Sequence, residues 1–163
     1  MRNCLVVVFL LTACIALSQA QEKISSQWKC DAKPTEQHSL AVPDSEGHSY
    51  SIAQGKCTPE KGSVGDTKEQ EGAFTEFGDM TNTGVQNHGV FIDTLVSGDK
   101  VYYHYHGTQT LKDGKIQSAS NKWTLAGGTG KFKGVKGEGS CKGKGNSDGS
   151  STWDCEGTYS TAK

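Results

Sequence analysis

Beyond its second residue the chain has no arginine: Arg2 is the only one, and lysine and five histidines supply the other basic side chains. There are three prolines, no C-x-x-C pair and no Asn-x-Ser/Thr triplet, so zinc ribbons, thioredoxin-type redox centres and N-glycosylation lack their motifs. Basic charge is not in excess, with 17 Lys and Arg against 18 Asp and Glu, which excludes a strongly basic nucleic-acid binder. Long apolar runs are confined to the first twenty residues. Of 163 residues, the 143 that follow draw only about 27% from the apolar set, too little for a thick helical core, yet they keep all 21 glycines, all three tryptophans and four cysteines. Low net charge with retained aromatics argues against disorder and for a thin, stapled β-protein.

Met1 to Ala20 carries one positive charge, an apolar stretch from Leu5 to Leu11 that continues weakly to Leu17, and the small-x-small ending Ser18-Gln19-Ala20. This pattern predicts a cleavable signal and a single mature domain over residues 21–163, secreted or periplasmic. Thr12, Ser18 and Gln19 interrupt the run, so no membrane span is expected. A second reading stays open: Leu11-Thr12-Ala13-Cys14 has the form of a lipoprotein box in which Cys14 is acylated. Export places Cys30, Cys57, Cys141 and Cys155 in an oxidising compartment, where an even count implies two disulfides in one of three pairings. The expected pairs are Cys30 with Cys57 and Cys141 with Cys155.

No helical period survives beyond the leader. Short β-branched and aromatic runs bounded by Gly, Asn, Asp and Ser predict eight strands: 26–32, 48–57, 72–80, 85–96, 100–110, 115–126, 131–144 and 150–160. Pro34, Pro43 and Pro59 fall between them. The expected class is all-β, an eight-stranded up-and-down antiparallel barrel, since closure removes exposed edges. Asp31 to Glu46 reads as a long connection and Thr58 to Glu71 as a charged, mobile segment.

Three hairpins can be read by residue. Asp113-Gly114 is a two-residue turn signal that sets His104 opposite Trp123 and Tyr102 opposite Leu125. Gly98-Asp99, taken as a two-residue turn, sets Asp93 opposite His104, Leu95 opposite Tyr102 and Phe91 opposite His106. A three-residue loop there would shift every pair by one and change the face. The opposite face, with Ile92, Val96, Val101, Tyr103 and Tyr105, could equally be the inner one. Asn146 to Ser150 suits a three-residue loop with Gly149 left-handed, which brings Cys141 across from Cys155, Gly143 across from Trp153 and Gly137 across from Tyr159. Lysines 131, 133, 136, 142 and 144, interleaved with Glu138, read as a solvated face.

The stretch Gly127-Gly128-Thr129-Gly130-Lys131-Phe132-Lys133-Gly134, followed by Gly137 and Gly139, resembles the Gly-Gly-Thr-Gly-x-Phe motif of the allene oxide cyclase and dirigent superfamily. It is similar to that of bacterial secreted proteins with an allene-oxide-cyclase-like barrel domain. The likeness runs from about Val85 to Tyr159 and includes the Ser97-Gly98-Asp99 turn, Gly107-Thr108, Trp123 and Gly157-Thr158-Tyr159. It implies an eight-stranded barrel with an internal cavity, and Phe132 plugging one end. In plant relatives such cavities cyclise an oxylipin epoxide or steer phenolic radical coupling without a cofactor. The catalytic acids and arginines of those relatives match no motif here.

The leading expectation is therefore a barrel holding a small apolar or aromatic molecule, with no cofactor, against Phe91, Leu95, Tyr102, His106, Trp123, Leu125, Trp153 and Tyr159. A cofactor-free isomerase or cyclase using Asp93 and His104 as a base pair is the alternative, since a carboxylate would hold the imidazole in one tautomer. A non-catalytic envelope or extracellular interaction protein is the third reading. His104 and His106, two apart on one strand, share a face, but the Glu that a cupin-type metal motif needs would fall at Thr110 or Leu111 and no proline follows Pro59, so no metal site is expected.

Overall fold

In the computed structural model, residues 21–161 are described; the predicted signal and Cys14 lie outside the described residues. Nine strands form one antiparallel sheet: β1 Glu22–Cys30, β2 Glu36–Ala41, β3 Ser49–Val64, β4 Thr67–Met80, β5 Gly84–Leu95, β6 Lys100–Lys112, β7 Lys115–Gly128, β8 Lys136–Gly145 and β9 Ser151–Ser160. Each strand from β3 to β9 pairs with its sequence neighbour, β9 pairs with β1, and β1 returns to β3, closing an eight-stranded barrel. The ninth strand corrects the expected connection between Asp31 and Glu46. β2 continues the line of β1 after a break containing Pro34: β1 pairs with Cys57–Val64 of β3, and β2 with its first half, Ser49–Gln54. The segment from Thr58 to Glu71, expected to be mobile, is strand on both sides of a Gly65-Asp66 turn. Gly65 has φ 62°, the conformation a tight hairpin reserves for glycine.

The β8–β9 register is the predicted one, with Cys141, Gly143 and Gly137 opposite Cys155, Trp153 and Tyr159. Both expected disulfides are present, and each joins directly opposed residues, Cys30 to Cys57 across β1–β3 and Cys141 to Cys155 across β8–β9. Asp113 (φ 52°) and Gly114 (φ 72°) make the predicted turn. One residue further on, a bulge passes over Gln117, so Tyr103, His104 and Tyr105 lie opposite Leu125, Thr124 and Trp123. The β5–β6 loop is Val96 to Gly98, closed by the Leu95 N–H donating to the Asp99 carbonyl at 2.9 Å, and Asp93 pairs with Val101 instead of His104. One end of the barrel is packed solid by Ile24, Val64, Leu95, Val101, Leu125, Phe132, Val135 and Tyr159. Phe132, on the short 3-10 turn Gly130–Phe132, is 1% exposed and plugs that end as the glycine motif implied.

Candidate functional site

Above this floor lies a cavity of about 250 Å³. An eight-stranded barrel is usually just filled by its own side chains. Here the aromatic rings lie against the wall, because inward glycines receive them. A Cβ on Gly157 would stand 2.4 Å from the Trp123 ring, on Gly143 2.7 Å from Trp153, on Gly72 2.3 Å from Phe91 and on Gly55 2.4 Å from Phe74. The rings also brace one another edge to face: Trp28–Phe91 at 5.0 Å, Phe91–Tyr103 at 6.1 Å and Tyr103–Trp123 at 5.2 Å between centroids.

The expected contact residues divide three ways. Phe91, Trp123 and Trp153 line the cavity. Leu95, Leu125 and Tyr159 are buried in the floor beneath it. Tyr102, His104 and His106 point outward, and His104 shares an outer groove with His106, Lys122, Thr124 and Glu138. Asp93 points inward and is fully buried, so the expected Asp93–His104 pair does not form. Two local irregularities, the three-residue loop and the Gln117 bulge, put His104 on the opposite side of the wall.

Asp93 instead meets Glu69, which reaches inward from β4 and is 7% exposed. Ser26 Oγ donates to Glu69 Oε1. Glu69 Oε2 rests over Gly62, where a Cβ would come within 2.1 Å of it. With both carboxyls ionised, Glu69 Oε2 and both Asp93 oxygens would be buried without a donor; one proton held between them supplies it. Burial, then the neighbouring Glu69 charge, pushes Asp93 up to about 9. Burial pushes Glu69 up to about 7, against the hydrogen bond from Ser26 and the neighbouring Asp93 carboxyl. Tyr103, beside the pair, is raised well above its usual range by burial and by both carboxyls.

A second carboxyl sits farther along β4. Glu76 Oε2 accepts from Asn87 Nδ2 at 2.8 Å and from the Tyr105 hydroxyl at 2.9 Å, and burial raises its pKa. Asn121 Oδ1, on the facing wall, is buried without a partner. Asp31, Pro34, Gln109, Ile116 and Gly149 belong to the open end. Among the described residues, the lining holds no Lys, Arg or His. Among the described residues, no three His, Cys, Asp or Glu side chains converge as a metal site.

Sequence reasoning missed Glu69 and Glu76. A one-residue bulge at Gln70 shifts the phase of β4, so Glu69 and then Gly72, Phe74 and Glu76 face inward, and no single alternation shows them together.

A pterocarpan synthase dirigent protein, GePTS1, superposes with a TM-score of 0.53 over 96% of this chain and 98% of its own, at 10% identity. The chain has the dirigent barrel fold. A second pterocarpan synthase dirigent protein, PsPTS1, aligns at TM-score 0.48 and 14% identity over 89% of this chain and 97% of its own. No family model matches the chain, and no curated protein matches it. At these identities what is shared is the barrel fold.

Proposed function

We propose that this protein is an exported barrel that binds a small aromatic molecule in its interior. The observation that carries the reading is the cavity itself: about 250 Å³, ringed by aromatic side chains that inward glycines hold back from the centre. A cavity of roughly 150 Å³ already admits benzene, so this one accommodates a substituted or fused ring. Two disulfides and the signal-like first twenty residues support export. The test is a fluorescence titration of the native protein with indole or p-cresol, which should quench the lining tryptophans saturably. Ile116→Trp, which narrows the open end, should block that quenching. Absence of saturable binding, or binding indifferent to the block, overturns the reading.

A second reading, a cofactor-free isomerase or cyclase, is favoured by the Glu69–Asp93 pair. Two carboxyls whose environments drive their proton affinities apart supply an acid and a base within one site. In this reading Asp93, which holds its proton to higher pH, is the acid, and Glu69 takes the base's place given to His104. An outer patch of Leu40, Tyr50, Ile52 and Phe77, all at least 36% exposed on β2–β4, is the observation that favours the third reading, surface contact.

A further inference from the structure

We infer that the molecule held in the barrel is an organic cation: an aromatic ring bearing an amine, bound as the ammonium ion among the interior carboxyls. The inference rests on the small-molecule reading of the same cavity and names the class of ligand.

The first observation is the kind of polar atom the interior leaves without a partner. Glu69 Oε2, Asp93 Oδ1, Asp93 Oδ2 and Asn121 Oδ1 are buried and unpaired, and every one is an oxygen that can accept. A single shared proton satisfies the carboxyl pair only partly, and Asn121 not at all. What is short in this cavity is donors, so the complementary ligand brings them. An ammonium group carries three, a phenol one and a carboxylate none.

The second observation is charge. Asp31, Glu69 and Glu76 line the space and Asp93 backs it, while the lining contributes no basic side chain. Around Glu69 the neighbouring elements present Ser26 from β1, Gly62 from β3, Asp93 from β5 and Tyr103 from β6, with Tyr159 of β9 behind Tyr103. None of these supplies a positive charge. An anionic ligand would add to the repulsion, whereas a cation supplies the missing counter-charge. The Trp28–Phe91–Tyr103–Trp123 chain of rings lines the same space.

Binding then has a proton balance. As the ammonium enters, Asp93 keeps the shared proton, whatever proton Glu69 still holds near neutral pH is released to solvent and the Glu69 carboxylate pairs with the cation; no bond of the ligand is made or broken. Ligand affinity should rise from pH 5, where the pair is protonated, to pH 8.

The experiment is calorimetric titration of the disulfide-bonded protein at pH 7 with three para-substituted phenols, tyramine, p-cresol and 3-(4-hydroxyphenyl)propionate, in two buffers of different ionisation enthalpy. The expected result is tyramine binding about tenfold tighter than p-cresol, with the propionate weakest, and a tyramine heat that differs between buffers by the released proton. Glu69→Gln should remove the preference for tyramine over p-cresol. If that variant does not fold, the pH 5 to pH 8 rise in tyramine affinity of the native protein carries the same decision. Equal or tighter binding of p-cresol, or tyramine affinity flat with pH, overturns the inference and leaves the small-molecule reading standing. Failure of all three probes to bind overturns both.

Discussion

The two halves of the barrel wall are built on different principles. β7, β8 and β9 line the cavity with Trp123, Trp153, a disulfide and the glycines beneath the rings, and carry no interior acid. β4 and β5 hold all the strand-borne interior carboxyls, Glu69, Glu76 and Asp93, and β6 adds the tyrosines that touch them. One half sets the shape of the space, and the other sets its chemistry. Burial strengthens the first half. It works against the second, because each buried carboxyl pays for its position in lost hydration.

That contrast can be broken by substitution. Trp123→Ala should cost the most, about 4 kcal/mol, since it removes a 5% exposed ring and opens a void over Gly139 and Gly157. Chemical denaturation at pH 5 and pH 8 should give the same loss, because nothing in that half titrates into the cavity. Next comes the double replacement Cys141→Ser with Cys155→Ser. Releasing a loop of sequence separation 14 should lower stability by about 3 kcal/mol, again at either pH.

The chemical half should respond in the opposite direction. Glu69 has its pKa raised from 4.5 to about 7 and Asp93 from 3.8 to about 9, so the native state holds more protons than the unfolded chain between those values. Stability is therefore fully present below the unfolded pKa values and falls as pH rises through the folded ones. Glu69→Gln should stabilise by about 2 kcal/mol at pH 8, with the gain gone near pH 4. A denaturation series across that range checks both sign and window. A loss at pH 8 would mean that Glu69 stabilises the fold as an ion. The smallest effect expected is from Asn121→Leu, which removes a buried unpaired oxygen from the boundary between the halves and should gain about 1 kcal/mol at any pH.

The same division governs what could be read in advance. In β8–β9 two independent signals, the Gly149 turn and the cysteine pair, demand one register, and the structure has it. The floor was legible through Phe132 and its glycines. For β5–β6 the Gly98-Asp99 dipeptide pointed to a two-residue turn, whereas Gly98, at φ 84°, closes a three-residue loop. Gln117 and Gln70 are ordinary strand residues, so the bulges they occupy left no mark in composition. Each moves the inward set by one position. Together these irregularities turn His104 outward, bring Tyr103 inward and hide Glu69 in a stretch that reads as charged and mobile. Phe91, Asp93 and Leu95 share a face in either register, so Asp93 could be grouped with them in advance, whereas the register that set it opposite His104 does not hold.

The most direct measurement is a carboxyl-carbon NMR titration of the native, ligand-free protein from pH 4 to pH 10, with Asp93→Asn and Glu69→Gln used to assign the two signals. The expected result is Glu69 losing its proton near neutrality and Asp93 holding its own until about 9. Two carboxyls that both ionise near 4 would contradict the buried, proton-sharing pair and the chemistry built on it.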